Sequence, residues 1–407
     1  MLDHPSLTLV AGFRAAAVHA RIKASSPPTK LDVSLVASDD PCAAAAVFTT
    51  NKVKAAPVIY DQAVLARNPN AVQAVVVNSG NANAVTGAPG LADAETTARA
   101  AEELLGLPRD SVLVMSTGVI GQALPMDRLL GGVKAATETL DSAPEAGHRM
   151  ARAIMTTDTF PKEAATRVTV GGREVTIAGI AKGAGMIAPH MATMLSVVVT
   201  DVAASPAALQ AALHDAADRS FNCVTVDGDM STNDTLIVLA NGRAENETLS
   251  GSETPGYAEF LAGLRDVCAA LARQIARDGE GATKLVTVRV TGATDWATAR
   301  QVGLAVANSN LVKTAIHGQD ANWGRVLCAA GYSGADVDPD RMSLWFDQVQ
   351  LVSRGHPTDY REEDAHATLT KEEVTVRVDL GQGDAEAEVW TCDLSQDYIR
   401  INADYRT

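Results

Sequence analysis

Apolar residues along the chain fall into short runs of strand length that alternate with longer segments of helical composition. Strand-like runs stand at 7–10, 31–36, 44–48, 71–77, 174–181, 194–199, 285–290, 341–352, 374–379 and 385–392, with another entering the Gly-containing turn at 112–121. Helical composition marks 93–105, 127–140, 146–156, 206–219, 257–277 and 298–315. Turn residues cluster at 25–29 and 78–83, and polar or charged loops are expected at 242–256 and 354–373. The last residues, 397–407, read as strand-like and suggest an ordered carboxyl terminus. This mixture predicts an α/β (α+β) fold without repeats or low-complexity tracts.

One stretch breaks the rhythm. Between the runs at 174–181 and 194–199, residues 183–190 carry Gly183, Gly185 and Pro189 and suit neither strand nor helix, which puts Thr193 at the first position of the following strand. A threonine there can be an N-terminal nucleophile: its own α-amine, with a pKa of roughly 7.7–8.0, takes the hydroxyl proton. That amine exists only if the Ala192–Thr193 bond is cut, and small Ala192 with permissive glycines upstream suits attack of Thr193 Oγ on the Ala192 carbonyl. The ordinary alternative is a threonine at a loop-to-strand junction. A dinucleotide site at Gly183-Ala-Gly185-Met-Ile-Ala188 is disfavoured, because that fingerprint must open a helix and Pro189 with a β-rich run follows. No P-loop pattern is present.

Other motifs carry weaker signals. Thr117 and Gly118 end a strand in a turn, where a hydroxyl and a sterically open N–H can stabilise an oxyanion, although Ser-Thr-Gly turns are common. The hydroxyls of Thr156, Thr157 and Thr159 before Pro161 fit capping or a turn. The acids of 227–234 invite a calcium loop, but Thr232 stands where the EF-hand needs Gly and Val238 where it needs Glu, so no metal is expected. Glu280, between a helix and a strand, can bind an ammonium group or be a solvated acid.

Composition narrows the class. A chain of 407 residues supports two or three domains, and a net charge of −15 argues against nucleic acid or an anionic membrane as partner. No apolar run reaches membrane-span length, and an acid near the start replaces the basic residues of a signal peptide, so a soluble cytoplasmic protein is expected. Cys42, Cys223, Cys268, Cys328 and Cys392 are scattered without C-x-x-C, as reduced core thiols are.

Taken together, these residues resemble the ornithine acetyltransferase family, also called the glutamate N-acetyltransferase family of arginine biosynthesis. The resemblance rests on Lys182-Gly-Ala-Gly-Met-Ile-Ala-Pro-His-Met-Ala-Thr193-Met-Leu, Ser116-Thr-Gly-Val-Ile-Gly121, Thr156-Thr-Asp158 and Val226-Asp-Gly-Asp-Met-Ser-Thr-Asn-Asp-Thr235. It continues through Asp278-Gly-Glu-Gly-Ala-Thr-Lys284, the 312–325 stretch and Arg400-Ile-Asn-Ala-Asp-Tyr405, and so spans essentially the whole chain. It implies an α/β sandwich of the N-terminal-nucleophile-like, self-processing type shared with aminopeptidases. The implied processed chains are an α chain of residues 1–192 and a β chain of 193–407, assembled as a heterotetramer of two α and two β.

The implied reaction moves acetyl from N-acetylornithine to glutamate through an acetyl-Thr193 intermediate, with Thr117 and Gly118 holding the oxyanion. Motif positions assign substrate contacts to Thr156, Lys182, Thr193, Glu280, Asn402 and Thr407. No metal or organic cofactor is implied, and acetyl-CoA as a second donor is left open. The chain departs from many relatives in carrying His190 instead of Asn three residues before the nucleophile, and from some in ending on Thr407 instead of Ser. The competing readings are an N-terminal-nucleophile amidase or aminopeptidase that hands the acyl group to water, and a non-catalytic binding protein.

Overall fold

A computed structural model describes residues 1–188 and 194–403. The chain forms two compact units: Met1–Gly183, His190–Asn222 and Met230–Leu271 make the first, and Ala184–Pro189, Cys223–Asp229 and Ala272–Thr407 the second. This spatial division does not coincide with the division at residue 193 expected for processed chains.

The first unit is a mixed α/β sandwich. Its strands are β1 (Phe13–Val18), β2 (Val33–Phe48), β3 (Val72–Asn81), β4 (Val112–Val119), β5 (Lys162–Val170), β6 (Arg173–Lys182), β7 (Leu195–Thr200) and β8 (Thr235–Ala240), ordered β4-β3-β2-β8-β7-β6-β5 with β1 also on β2. The pairs β3/β4 and β7/β8 are parallel, and the other pairings are antiparallel. Every residue of β7 and β8 is buried, as both-face coverage requires.

Long β2 joins the sheet: its first half pairs β3 and its second half pairs β8. The sequence suggests two strands here because Ser38-Asp-Asp-Pro-Cys42 interrupts the apolar pattern. The structure instead carries one strand through an irregularity between Ala37 and Cys42, where Pro41 is tolerated because ladder pairing is already broken.

Packed helices are α1 (Ala56–Arg67), α2 (Gly87–Leu105), α3 (Met126–Glu138), α4 (Pro144–Ala153), α5 (Pro206–Asp218) and the first part of α6 (Tyr257–Arg277). Ser205 caps α5, accepting from Ala208 N, and Pro206 follows at the position where proline costs no hydrogen bond. Helix α6 comes close to β5 and β6 because two contact residues lack side chains. A Cβ on Gly263 would stand 2.7 Å from Val168, and one on Gly179 would meet Leu271 at 3.0 Å.

The second unit builds a sheet from β9 (Leu285–Ala293), β10 (Ser343–Phe346), β11 (Val349–Ser353), β12 (His356–Pro357), β13 (Glu373–Asp379) and β14 (Ala385–Cys392) in the order β12-β11-β10-β13-β9-β14. Helix α7 (Trp296–Ala307) packs on β9 and β14, followed by α8 (Asn310–His317), α9 (Trp323–Gly331), α10 (Glu362–Leu369) and α11 (Gln396–Ala403).

Several expectations are corrected. The run at 7–10 is a 3-10 turn, Leu7–Leu9, and β3 runs on through Asn81 into residues expected to turn. The helix expected over 298–315 is two helices, because Ser309 accepts from Val312 N and starts a new one. The strand expected over 341–352 folds into the β10–β11 hairpin at Asp347, which adopts φ +48°. The charged stretch 354–373 contains α10, whose first turn carries Glu362, Glu363 and Asp364 where acids favour the helix dipole. Residues 396–403 of the strand-like end are helical, started by Ser395 Oγ accepting from Asp397 N.

Leu271 is fully buried at the Gly179 contact. Leu271→Ala is expected to destabilise the protein by about 2–5 kcal/mol through the cavity it leaves, read as a lowered urea midpoint at unchanged slope.

Candidate active site

Parallel pairing of β3 with β4 brings Ser79 beside Thr117 and Gly80 beside Gly118. Gly118 has φ +136°, and a Cβ there would lie 2.3 Å from the Gly80 carbonyl carbon and 2.4 Å from Asn81 N, so only glycine fits. Thr117 and Gly118 lie within β4, which runs on to Val119, and not in the turn expected there, because pairing with β3 continues past them. The strand is fixed from beneath. Ser116 Oγ donates to Asn78 Oδ1 at 2.6 Å, and Asn233 Nδ2 donates to Ser116 O at 2.7 Å and Ala82 O at 2.6 Å.

Thr117 is buried, and Lys182 Nζ donates to its hydroxyl at 3.4 Å. Lys182 closes β6 and is itself buried, a placement an ammonium tolerates only with charge nearby. That charge is Asp158. Its Oδ1 accepts from Lys162 Nζ and Gly183 N, each at 2.7 Å, and its Oδ2 accepts from Thr156 N at 2.9 Å. Burial would raise the Asp158 carboxyl, but the Lys182 and Lys162 ammoniums and the hydrogen bonds from Lys162 and Gly183 outweigh it and hold the group well below the usual carboxylate range.

Lys30, half-buried nearby, donates to Met155 O at 2.6 Å. Its pKa is lowered, first by burial, with Asp158 and Asp32 opposing and Lys182 adding to the shift. Lys30, Lys162 and Lys182 thus share the buried Asp158, with Asp32 a second acid acting on Lys30, and ammonium groups so placed suit a carboxylate-bearing ligand. The expected site residues Thr117, Gly118, Thr156 and Lys182 are linked through this cluster.

In the second unit, Glu280 and Asn402 meet directly. Asn402 Nδ2 donates to Glu280 Oε2 at 2.8 Å and to Tyr398 O at 3.0 Å. The backbone N of Glu280 donates to Ala184 O at 2.8 Å, and its carboxylate packs so close to Gly185 that a Cβ there would stand 2.4 Å from it. Ala192, Thr193, His190 and Thr407 lie outside the described residues.

The residues on either side of the 189–193 stretch are fastened by acids of the 226–235 motif, which the sequence excludes as a calcium loop and assigns no site role. Asp227 accepts from Met186 N at 2.7 Å and Ile187 N at 2.9 Å, and the Tyr398 hydroxyl donates to it at 3.3 Å. Burial raises the Asp227 carboxyl, against those backbone bonds. Asp234 accepts from Met194 N at 2.9 Å through Oδ1, and its buried Oδ2 has no hydrogen-bond partner among the described residues. Burial pushes the Asp234 carboxyl well above its ordinary value, opposed by the Met194 N–H, the Thr49 hydroxyl and the Lys182 charge.

Asp158, Lys162, Asn233, Asp227 and Asp234 were not expected as site residues. The available signal was charge in apolar surroundings: Lys162 opens a strand that carries Ala164 and Ala165 inward, and Asp234 stands two residues before the fully apolar run 236–240.

Buried lysine, threonine and carboxylate thus meet at strand ends of a mixed α/β sandwich. The sequence signature of the ArgJ family matches residues 14–407. The chain belongs to this family, the bifunctional proteins of arginine biosynthesis. It is 55% identical over 403 residues to the arginine biosynthesis bifunctional protein ArgJ of Geobacter sulfurreducens, covering 98% of this chain and 100% of that one. It is 52% identical over 401 residues to the protein of the same name from Symbiobacterium thermophilum, covering 98% of each.

Among solved structures, it is similar to the ArgJ protein of Bacillus halodurans, at 46% identity and TM-score 0.49, covering 50% of this chain and 95% of that one. It is also similar to ornithine acetyltransferase of Mycobacterium tuberculosis complexed with ornithine, at 40% identity and TM-score 0.40, covering 48% of this chain and 98% of that one.

Two outcomes test the buried cluster. Gly118→Ala is expected to cost at least about 2 kcal/mol, because the methyl group meets backbone at a strained φ; a thermal melt measures it. Asp158→Ala strands buried cations and is expected to cost about 3–5 kcal/mol at neutral pH. Because the folded pKa is depressed, the Asp158 contribution is full above the unfolded value near about 3.9 and is lost as pH falls through the folded value. Urea midpoints of wild type and variant should therefore converge only in strong acid.

Proposed function

We propose that the chain is an acetyltransferase of arginine biosynthesis that moves acetyl from N-acetylornithine to glutamate, giving ornithine and N-acetylglutamate. The observation that most supports this reading is the buried Lys182–Thr117 contact immediately upstream of the 189–193 stretch. In the proposed route, the chain first cleaves between Ala192 and Thr193, giving an α chain of 1–192 and a β chain of 193–407 that assemble as two of each.

Thr193 Oγ then attacks the acetyl carbonyl while the Thr193 α-amine takes the hydroxyl proton. The Thr117 hydroxyl and the Gly118 N–H donate to the oxyanion. The C–N bond breaks, the amine returns the proton to departing ornithine, and acetyl remains as an ester on Thr193. The glutamate amine attacks that ester, Thr193 Oγ leaves and regains a proton, and N-acetylglutamate departs.

Both substrates are amino acids, so each needs cationic donors for a carboxylate and an acceptor for an ammonium group. We assign the first role to Lys182 with the amide and hydroxyl of Thr156, and the second to Glu280 with Asn402; Thr407 is assigned a further substrate contact. Acetyl-CoA is proposed as a second donor, in keeping with the word bifunctional in the relatives' names.

Intact-mass spectrometry of purified wild type beside Thr193→Ala tests the first step. Wild type should give two fragments divided after Ala192, and the variant one inactive chain; a variant that still splits would remove Thr193 from the mechanism. Thr117→Ala is expected to slow ornithine release by roughly 10²–10³-fold. Release that proceeds equally without glutamate would favour the hydrolytic alternative.

A further inference from the structure

The register of the second unit's sheet places three unusual neighbours in one row. Trp345 on β10 pairs with Arg377 on β13, and Arg377 pairs with Arg289 on β9. Along β13, Val374, Val376 and Val378 are buried while Thr375 and Arg377 are half-buried, so the two arginines stand on the more open face with Thr375.

Like charges directly opposite across a ladder destabilise it unless something answers them. Arg289 is answered by Glu386 at 2.7 Å. Arg377 is not: its guanidinium lies 3.8 Å from the centre of the Trp345 ring, with no carboxylate partner among the described residues. The Nε atoms of both arginines are buried and lack an acceptor among the described residues, which is unusual for such strong donors.

Asp347 does not supply the missing charge, since its Oδ1 takes the Thr375 N–H at 2.9 Å and its Oδ2 pairs with Lys371 Nζ at 2.6 Å. Above this row lies a cavity of about 370 Å³ lined by Arg289, Asp347, Gln348, Lys371, Thr375 and Arg377. Three cations and one acid line it; Asp347 answers Lys371, and Glu386 with Glu388 directly opposite answers Arg289, so Arg377 is the lining cation left without an acid among the described residues.

We propose that this cavity binds a small oxyanion, a phosphate or a carboxylate, with the Arg377 guanidinium as its principal donor. Stacking on Trp345 holds the planar fork in place before the ligand arrives, which lowers the ordering cost of binding. Lys371 adds a point charge at the mouth, and Thr375 and Gln348 offer neutral donors. None of these residues belongs to the acetyl-transfer machinery assigned above, so the proposal stands independently of it.

The test is calorimetric titration of the full-length protein, at low ionic strength, with inorganic phosphate, pyrophosphate and citrate in turn. Saturable binding that weakens with added salt is expected. Arg377→Met keeps an apolar stem over Trp345 while removing the fork, and should weaken binding at least tenfold with acetyl transfer unchanged. Lys371→Gln, at an exposed position that leaves the fold alone, should weaken it several-fold and guards against misfolding of the first variant. Binding of phosphates but not citrate assigns a phosphate-bearing ligand, and the reverse assigns a carboxylate. No saturable binding of any of the three, or equal binding by both variants, overturns the proposal.

Discussion

The first unit's site depends on a single ionised carboxylate kept out of water. Asp158 can be charged in the interior only because lysine ammoniums surround it, and Lys162 can be fully buried only because Asp158 is ionised. From that mutual dependence follows the rest of the cluster. The Asp158 oxygens take the N–H of Thr156 on one side and of Gly183 on the other, so the chain leaving α4 and the chain leaving β6 converge on one point. Lys182, one residue before that convergence, is left to address the Thr117 hydroxyl.

Backbone proximity supplies the second constraint. Gly80 and Gly118 lie side by side in the parallel β3/β4 pair, and no larger residue would permit that approach at position 118. The Thr117 hydroxyl, the Gly118 backbone and the Lys182 ammonium are thus set by two sheet strands, β4 and β6, the rigidity that the oxyanion role proposed for Thr117 and Gly118 requires.

Much of this was legible in the sequence. The apolar runs that became β6 and β7 flank the Gly/Pro-rich interruption, whereas Thr117-Gly118, expected in a turn, lies within β4. What periodicity could not supply was partnership. Asp158 read as one polar residue among threonines, and its burial follows from lysines four and twenty-four positions away that no local pattern connects to it. The acids of 227–234 invited a calcium loop that Thr232 and Val238 excluded, because acidic spacing is visible in sequence whereas the backbone N–H partners of Asp227 and Asp234 are not. Local chemistry also outweighed pattern elsewhere: Ser309 divided an apparent helix, and Ser395 turned a strand-like end helical.

The bond between Asp234 and the N–H of Met194 has a consequence of its own. The Thr235 N–H donates in turn to Met194 O at 3.1 Å, and Leu195 lies opposite Thr235 in the parallel β7/β8 pair, so the two strands are pinned together at their shared start. Sliding β7 along β8 would strand a buried carboxylate oxygen as well as misalign two fully buried strands, and the register of the central pair is therefore locked by one side chain in addition to its ladder.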